Sequence, residues 1–433
     1  MPHISLSKKL ASAKRSPSER KGIHSWHPYY AGYSEAFVTS AIEYLGINKS
    51  HILLDPWHGS GTTALVASRY KLQTIGCEIN PIMNIFSAAK SGFLIGKSKF
   101  IEKLSKEIED RVLDSLSEDQ DDDSLLDFMS ESLSRGIRTL YVALNSYKYP
   151  QAPLESRLFN LFEEIPLFLN PFEAFFKSAL FITARKLAGY KGGSNPTWVK
   201  TIENKAEYCI EDIVSEWLRV VDLMIHDLDS AVIPKLENII HLPLSIDSRN
   251  LCIHSNSIDG IITSPPYLTR IDYAMSTRPE LLIISNSFFL RSIREKTIGA
   301  PVIVDKSIKV NSIWGETCLA ILDQVETHSS KAARSYYLPN MLQYFRDVEL
   351  SLRECIRVLK PKSQALIVVQ SSYFKEHEID LGQIYTEICR NLGTQCEIVN
   401  REVVRGHMAH VNTKSSLYKN DKIYYEDVVC ITK

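Results

Sequence analysis

The 433-residue chain lacks several features that would mark particular classes of protein. It has no run of about 18 apolar residues, and its polar N-terminus has no apolar signal-peptide core, so neither a membrane span nor export is predicted. Its net charge is only −1, which excludes bulk positive charge as the means of attracting nucleic acid, although a local basic patch would suffice. We therefore expect a cytoplasmic protein.

Paired cysteines and phosphate-binding motifs are also missing. The eight cysteines are scattered singly and none forms a Cys-x-x-Cys pair, which argues against zinc and fits a reducing compartment. The chain has no G-x-G-x-x-G or G-K-[ST] pattern, so a dinucleotide or a nucleotide phosphate is not indicated. No metal is predicted in the chemistry.

A strand–turn–helix pattern with two glycines lies near the start of the chain. Residues 52–55 form a short apolar run suited to a parallel strand, and residues 64–70 have a helical pattern. Between them Gly59 and Gly61 allow the backbone to turn tightly and to approach a ligand closely. The next predicted strand ends in Glu78, whose carboxylate is placed to accept both hydroxyls of a ribose. The pattern predicts a cofactor that contains a nucleoside.

Residues 263–267 read Thr-Ser-Pro-Pro-Tyr and follow a second apolar run. Two prolines stiffen the turn, because each fixes its own φ and restricts the residue before it. The Ser264 hydroxyl and the Pro265 carbonyl can accept both hydrogens of an exocyclic amine and draw its nitrogen towards sp³ geometry. Tyr267 can stack on a base taken out of its duplex. Ser-Pro-Pro-Tyr on its own is more often a rigid turn. In a chain that also carries the glycine-containing strand–turn–helix pattern, it favours a nucleobase site.

Together these segments resemble the DNA amino-methyltransferases, which make N4-methylcytosine or N6-methyladenine in restriction–modification and defence systems. Residues 55–63 resemble the family's cofactor loop D-P-F-x-G-S-G-T-T, with Trp57 in place of the usual Phe. Residues 257–267 match its catalytic strand and loop closely. Shorter segments resemble the ribose-binding stretch, the stretch whose Asp lies near the cofactor adenine, and the stretch that closes over the methionine end of the cofactor: residues 76–81, 246–249 and 27–30.

The resemblance implies an α/β fold, with a Rossmann-like methyltransferase core that carries a large, mostly helical insertion. It implies S-adenosyl-L-methionine (SAM) as cofactor, double-stranded DNA as substrate, and a restriction endonuclease or defence component as partner. The implied catalytic residues are Ser264, Pro265, Pro266 and Tyr267. The implied cofactor-binding residues are Tyr30, Asp55, Trp57, Gly59, Gly61, Thr62, Glu78, Asp247 and Thr263.

The residue before Pro-Pro-Tyr bears on which base is methylated. In this family Ser at that position leans towards cytosine N4, whereas Asp or Asn leans towards adenine N6. We therefore favour cytosine N4, with adenine N6 as the alternative. An RNA base-amine methyltransferase would use the same pocket, and a SAM-binding, DNA-docking module without turnover is a third possibility. Protein glutamine methyltransferases usually have Asn here, so Ser264 counts against them.

The resemblance covers residues 24–90 and 240–433, which form the predicted catalytic core. Residues 1–23 are predicted to be a flexible basic arm that is either solvated or in contact with DNA. Residues 91–239 are predicted to be largely helical, and since core motifs occupy both chain ends, this insertion is the leading candidate for target recognition. The loop-rich stretch 274–335 is the second candidate. Later helices are expected at 340–359 and 381–392, and strands at 364–370, 397–404 and 422–432.

Overall fold

The computed structural model describes residues 9–16, 19, 21–27, 32–113, 124–164, 166–190, 199, 205–268, 272–404 and 422–433. In this part of the chain seven strands form a central sheet and two form a separate hairpin. The strands are β1 (Ile52–Asp55), β2 (Gln73–Cys77), β3 (His241–Leu244), β4 (Ile258–Thr263), β5 (Leu359–Gln370), β6 (Ser372–Phe374), β7 (His377–Ile379), β8 (Gln395–Val404) and β9 (Tyr424–Thr432).

Helices cover both faces of the sheet and form a separate layer beside it. None of those within the described ranges is both long and apolar enough to cross a membrane. They are α1 (Glu35–Leu45), α2 (Thr62–Arg69), α3 (Pro81–Lys90), α4 (Ser98–Leu113), α5 (Glu131–Ser146), α6 (Ser156–Phe159), α7 (Pro171–Ala188), α8 (Ile210–Asp229), α9 (Tyr273–Ser276), α10 (Arg278–Ile284), α11 (Ser287–Lys296), α12 (Gly315–Thr327), α13 (Leu338–Val358) and α14 (Leu381–Asn391).

The order of the sheet decides where a ligand can bind. Its strands follow the order β3-β2-β1-β4-β5-β9-β8, with β9 antiparallel to both of its neighbours and the other pairs parallel. The chain moves outwards from β1 to β3 and then returns to place β4 on the other side of β1. In an open α/β sheet, such a reversal leaves a crevice at the carboxyl ends of the two strands. The predicted Rossmann-like methyltransferase architecture is confirmed.

Between α3 and β3 the chain forms a helical layer of α4, α5, α7 and α8, which packs against α3 through α7. Its apolar core includes Phe175, Phe176 and Trp217, all fully buried. Arg185, near the end of α7, joins this layer to the segment after β4: its guanidinium pairs with buried Glu280 and donates to the Ser276 carbonyl at 2.6 Å. The described part of residues 91–239 is largely helical, as the sequence predicts. Its part in target recognition stays a prediction.

The stretch 274–335 is more helical than its sequence suggests. We expected a loop-rich segment, but it contains α10, α11 and α12 and short helical turns. Each helix is brief, and α11 begins at a cap in which the Asn286 side chain accepts from the backbone N–H of Phe289. Helices of two to four turns do not sustain a long apolar period, so the pattern was weak.

The described part of the predicted basic arm is packed against the core. Leu10 and Ala13 are buried against the apolar side of α1. The Ser12 hydroxyl donates to Glu402 at 2.6 Å, and the Ser12 carbonyl accepts from the Ser34 hydroxyl at 2.7 Å. These two apolar side chains among the basic residues explain why residues 9–16 do not form a free arm.

We expect Gly61→Ala to destabilise the fold by about 2 kcal/mol more than Gly46→Ala. Both glycines have left-handed backbone, with φ of 86° and 65°. A Cβ at Gly61 would lie 2.4 Å from the Ser87 hydroxyl and 3.1 Å from Ser87 Cα, whereas one at Gly46 meets nothing within 4 Å. Denaturant unfolding of both variants measures the difference. Equal losses would show that the close approach of α2 and α3 does not require glycine.

Candidate active site

A pocket opens at the carboxyl ends of β1, β2 and β4, and includes about 740 Å³ of empty space counted to its open mouth. Six of the predicted site residues line it: Trp57, Glu78, Asp247, Ser264, Pro265 and Pro266. Six others lie outside the lining: Asp55, Gly59, Gly61, Thr62, Thr263 and Tyr267. Tyr30 lies outside the described residues.

Asp55 joins the two predicted loops. Its carboxylate is 3% exposed and accepts hydrogen bonds from Tyr33 at 2.7 Å, from Thr63 at 2.5 Å and from Thr263 at 2.6 Å. The backbone N–H of Trp57 also donates to it, at 3.3 Å. Thr263 ends β4 whereas Asp55 ends β1, so this carboxylate fixes the cofactor loop against the catalytic strand. With these four donors, Asp55 acts on the pocket by holding its walls in place.

The cofactor loop turns tightly between β1 and α2. Gly59 and Gly61 both have positive φ, of 49° and 86°, as the predicted turn requires. His58 lies beneath the turn, where its Nε2 is 2.7 Å from the Asn84 side-chain oxygen. A Cβ at Gly76 would lie 2.6 Å from the His58 ring, so that strand glycine makes room for the imidazole. Burial lowers the pKa of His58, which keeps the ring neutral beneath the loop.

Glu78 follows β2 and faces the pocket. Burial raises the pKa of its carboxyl to about 7, and the charge of Asp55 also raises it, while backbone N–H groups near Asn80, Ile79 and Gly59 act in the opposite direction. The N–H of Asn80 donates to Glu78 Oε1 at 2.9 Å. The carboxyl group is therefore held in place by the backbone and has acceptor capacity left for a ligand.

Asp247 lines the pocket opposite the catalytic loop, after β3. The Arg249 guanidinium donates three hydrogen bonds to its carboxylate, from Nε at 2.9 and 3.1 Å and from Nη2 at 2.6 Å. The same guanidinium pairs with buried Asp347 on α13 at 2.9 Å and donates to the Lys296 carbonyl at 2.9 Å. Such a two-pronged arginine contact fixes the direction of the carboxylate as well as its charge.

Two side chains hold the catalytic loop from behind. The Pro266 carbonyl accepts from the Tyr344 hydroxyl at 3.1 Å, and the Leu268 carbonyl accepts from the Ser372 hydroxyl at 3.2 Å. Among the described residues, no backbone or side-chain donor bonds to the Pro265 carbonyl. Ser264 and Pro265 line the pocket, so the two predicted acceptors of the amine share its wall.

Tyr267 lies just outside this wall and is half-buried. Burial raises the pKa of its phenol, the charge of Glu426 raises it further, and a hydrogen bond with the Ser264 side chain lowers it. The ring therefore remains a neutral phenol that can serve as an apolar face. Its stacking role stays a prediction.

The pocket also contains polar atoms that suit a ligand with hydrogen-bonding groups. In the described part of the chain, the buried Trp57 Nε1 and the Tyr273 hydroxyl have no hydrogen-bond partner, and both residues line the pocket. Buried donors are normally paired, so these two are available to a bound molecule. Together with the carboxylates of Glu78 and Asp247, this donor and acceptor set fits a nucleoside with a ribose, as SAM has. Within the part of the chain that the structure describes, no group of three or more His, Cys, Asp or Glu side chains is placed to hold a metal ion.

Sequence reasoning missed several residues that shape this site. Tyr33 and Tyr344 each hold a motif residue, but they lie 22 and 78 positions away from it along the chain. Tyr273 supplies an unpartnered hydroxyl from a segment with no motif. Arg249 lies in a quoted segment, and its charge two residues after Asp247 was the one available sign of an ion pair.

Comparisons with known proteins agree with this geometry. A family model described as DNA methylase, N6_N4_Mtase, matches residues 8–87, which contain the cofactor loop and Glu78. The type II methyltransferase M.BsoBI of Geobacillus stearothermophilus is 23% identical over 408 residues, which cover 87% of this chain and 79% of that protein. The type II methyltransferase M.MvaI of Kocuria varians is 23% identical over 401 residues, covering 84% and 80%.

The solved structure of the rRNA methyltransferase AviRa from Streptomyces viridochromogenes aligns with 99% of this chain and 92% of its own. Its TM-score of 0.30, at 10% identity, is too low to carry an argument. The sequence matches, the order of the sheet and the meeting of the two loops in one pocket agree with one another. The predicted resemblance to the DNA amino-methyltransferase family is confirmed by the family model and by the two type II methyltransferases.

Proposed function

We propose that this protein transfers the methyl group of SAM to the exocyclic amine of a base in double-stranded DNA. The observation that carries the proposal is a single pocket whose two sides are lined by different sets of side chains. Glu78, Trp57 and Asp247 form the side suited to a nucleoside cofactor, and Ser264 with Pro265 forms the side suited to an amine. Two relatives, similar to this chain over most of its length, are named type II methyltransferases, which supports DNA as the substrate.

The chain's own residues would bind and align the two reactants. SAM supplies a methyl group already activated by its sulfonium, so alignment is the main task of the protein. Glu78 would accept the ribose hydroxyls, Asp247 would lie near the adenine, and Trp57 would form an apolar shelf. The Ser264 hydroxyl and the Pro265 carbonyl would accept the two N–H hydrogens of the amine. This geometry frees the nitrogen lone pair from the ring and points it at the methyl group.

The remaining predicted residues have supporting roles in this proposal. Gly59, Gly61 and Thr62 would form the turn that admits the cofactor, and Thr263 would position the catalytic loop through its bond with Asp55. Pro266 would stiffen that loop, and Tyr267 would stack on the flipped base. Tyr30 keeps its predicted role near the methionine end of SAM.

We propose cytosine N4 as the methylated position, because Ser264 occupies the place where the adenine-directed relatives usually carry Asp or Asn. The helical layer formed by residues 91–239 would recognise the target, since Arg185 connects it to the pocket wall at Ser276. A restriction endonuclease or a defence component is the proposed partner, in keeping with the name type II methyltransferase that both relatives carry.

The affinity for SAM is expected to fall as the pH decreases below about 7. The pKa of Glu78 is raised to about 7, mainly by burial, and only the ionised carboxylate accepts both ribose hydroxyls. Below that pH the Glu78 carboxyl of the free protein is protonated, so the affinity for SAM falls by up to about tenfold per pH unit. The fall ends where the pH reaches the pKa of Glu78 in the complex, which is lower than that in the free protein. Calorimetric titration with SAM from pH 8 to pH 5.5 measures this. Glu78→Gln should bind more weakly and with a flat profile. A flat profile for the unaltered protein would contradict the role of Glu78.

Methyl transfer from labelled SAM to matched substrates tests the proposed substrate. Duplex DNA of mixed sequence, the same strands unpaired, and RNA of the same sequence are offered separately. We expect label in duplex DNA well above that in RNA. Label predominantly in RNA would favour the RNA base-amine alternative. SAM binding with no transfer to any of the three would favour a docking module without turnover.

A further inference from the structure

One face of α13 contacts both sides of the pocket. Five of its side chains, at positions i, i+3, i+4, i+7 and i+11, contact segments that line or adjoin the pocket: Asn340, Gln343, Tyr344, Asp347 and Ser351. This spacing places them on one stripe of the helix. All five are buried, so their partners are fixed by packing as well as by hydrogen bonds.

The first half of the stripe holds the amine side. Tyr344 donates to the Pro266 carbonyl at 3.1 Å, and its hydroxyl is 3.2 Å from that of fully buried Tyr385. With one proton on each phenol, Tyr385 donates to Tyr344 while Tyr344 donates to the catalytic loop, and such chains strengthen each bond. Gly299 packs closely against the same loop: a Cβ there would lie 2.9 Å from the Tyr267 carbonyl oxygen.

The second half of the stripe holds the cofactor side. Asp347 is 2.9 Å from Arg249 Nη1, and the Arg249 guanidinium holds Asp247 with three hydrogen bonds. One turn further on, the Ser351 hydroxyl is 3.0 Å from that of Ser248, which also lines the pocket. Asp347 is therefore one residue removed from the carboxylate expected near the adenine, and it sets the direction of that carboxylate through Arg249.

We infer that α13 fixes the distance between the methyl donor and the amine, with Tyr344 positioning the catalytic loop and Asp347 positioning Asp247. The inference rests on the proposed function. A single helix that carries both contacts three residues apart keeps the catalytic loop and Asp247 at a fixed spacing. Neither residue touches the reactants in this arrangement, so both are positioning residues.

Two single substitutions separate the two halves. Tyr344→Phe should reduce kcat by about tenfold, which corresponds to about 1.4 kcal/mol of lost positioning, and should leave the Kd for SAM within about twofold. Asp347→Asn should do the reverse, raising the Kd for SAM about tenfold with kcat at saturating SAM within about twofold of the unaltered protein. Tyr373→Phe is the matched control, because its hydroxyl donates to the Ile423 carbonyl at 3.0 Å, away from the catalytic loop.

The Kd is measured by calorimetry without DNA and kcat with duplex DNA, so the two readouts are independent. The opposite split of kcat and Kd in the two variants supports the inference. Equal changes of both quantities in both variants, or changes no larger than those of Tyr373→Phe, would overturn it. An unaltered protein that binds SAM but methylates no DNA contradicts the proposed function instead, and in that case an unchanged Kd in Asp347→Asn still overturns the cofactor half.

Discussion

Asp55→Ala is expected to lower the free energy of unfolding by about 3–6 kcal/mol and to abolish measurable SAM binding in the protein that remains folded. The substitution removes the acceptor of three buried hydroxyls, those of Tyr33, Thr63 and Thr263. Each buried donor left without a partner costs about 1–3 kcal/mol, although Tyr33 retains its contact with Thr63. The cofactor loop also loses its connection to β4, so the walls of the pocket no longer keep their spacing.

Asp55→Asn is the graded control for this prediction. The amide oxygen still accepts from one or two of the hydroxyls, and the others can rotate to accept from the amide N–H. We expect a loss of about 1–3 kcal/mol and weakened rather than abolished binding. Denaturant unfolding and calorimetric titration with SAM give the two quantities. Full stability in Asp55→Ala would contradict the role of this carboxylate as the contact between the two loops.

Ser264→Ala is expected to lower kcat for methyl transfer by a factor on the order of 10² or more, with the Kd for SAM unchanged. The alanine removes one of the two acceptors that draw the amine towards sp³ geometry, and the Pro265 carbonyl alone leaves the lone pair largely delocalised into the ring. The hydroxyl adjoins the cofactor side of the pocket but is not among the proposed cofactor contacts, so binding should survive.

Ser257→Ala is the control at the opposite end of the same strand. Its hydroxyl donates to the His254 carbonyl at 2.6 Å in an exposed turn. Turnover should stay within about twofold of that of the unaltered protein. Single-turnover rates at saturating SAM separate chemistry from binding. Normal turnover in Ser264→Ala, with SAM still bound, would remove the central residue from the proposed mechanism.

The sequence predicted the regular elements of the core well because they are long or strongly apolar. The helix expected at 340–359 is α13, Leu338–Val358, and the expected strand at 397–404 lies within β8, Gln395–Val404. The strand β3 (His241–Leu244) was not predicted, although β1 has the same length, because His241 and Pro243 interrupt its apolar run. Element bounds thus followed local pattern, and the prediction failed where the pattern was interrupted.

The candidate site was predictable only where the functional residues are contiguous in the sequence. The two loops could be found because each is a motif, and the order of the sheet then brings them together. The contacts that hold them could not be found in the same way. Periodicity shows that Tyr344 and Asp347 lie on a helix, but not that one faces Pro266 and the other Arg249. Asp55 was expected to contact the cofactor, yet in the structure its oxygens face Tyr33 and the two threonines.

The central claim is methylation of a base amine in DNA, and the most direct measurement is the identity of the product. Duplex DNA is incubated with the protein and SAM, digested to nucleosides and analysed by mass spectrometry, with Ser264→Ala in parallel. The proposal predicts N4-methylcytosine with the unaltered protein and little or none with the variant. N6-methyladenine would preserve the mechanism and overturn the choice of base. No methylated nucleoside, from a protein that is folded and binds SAM, would contradict the claim itself.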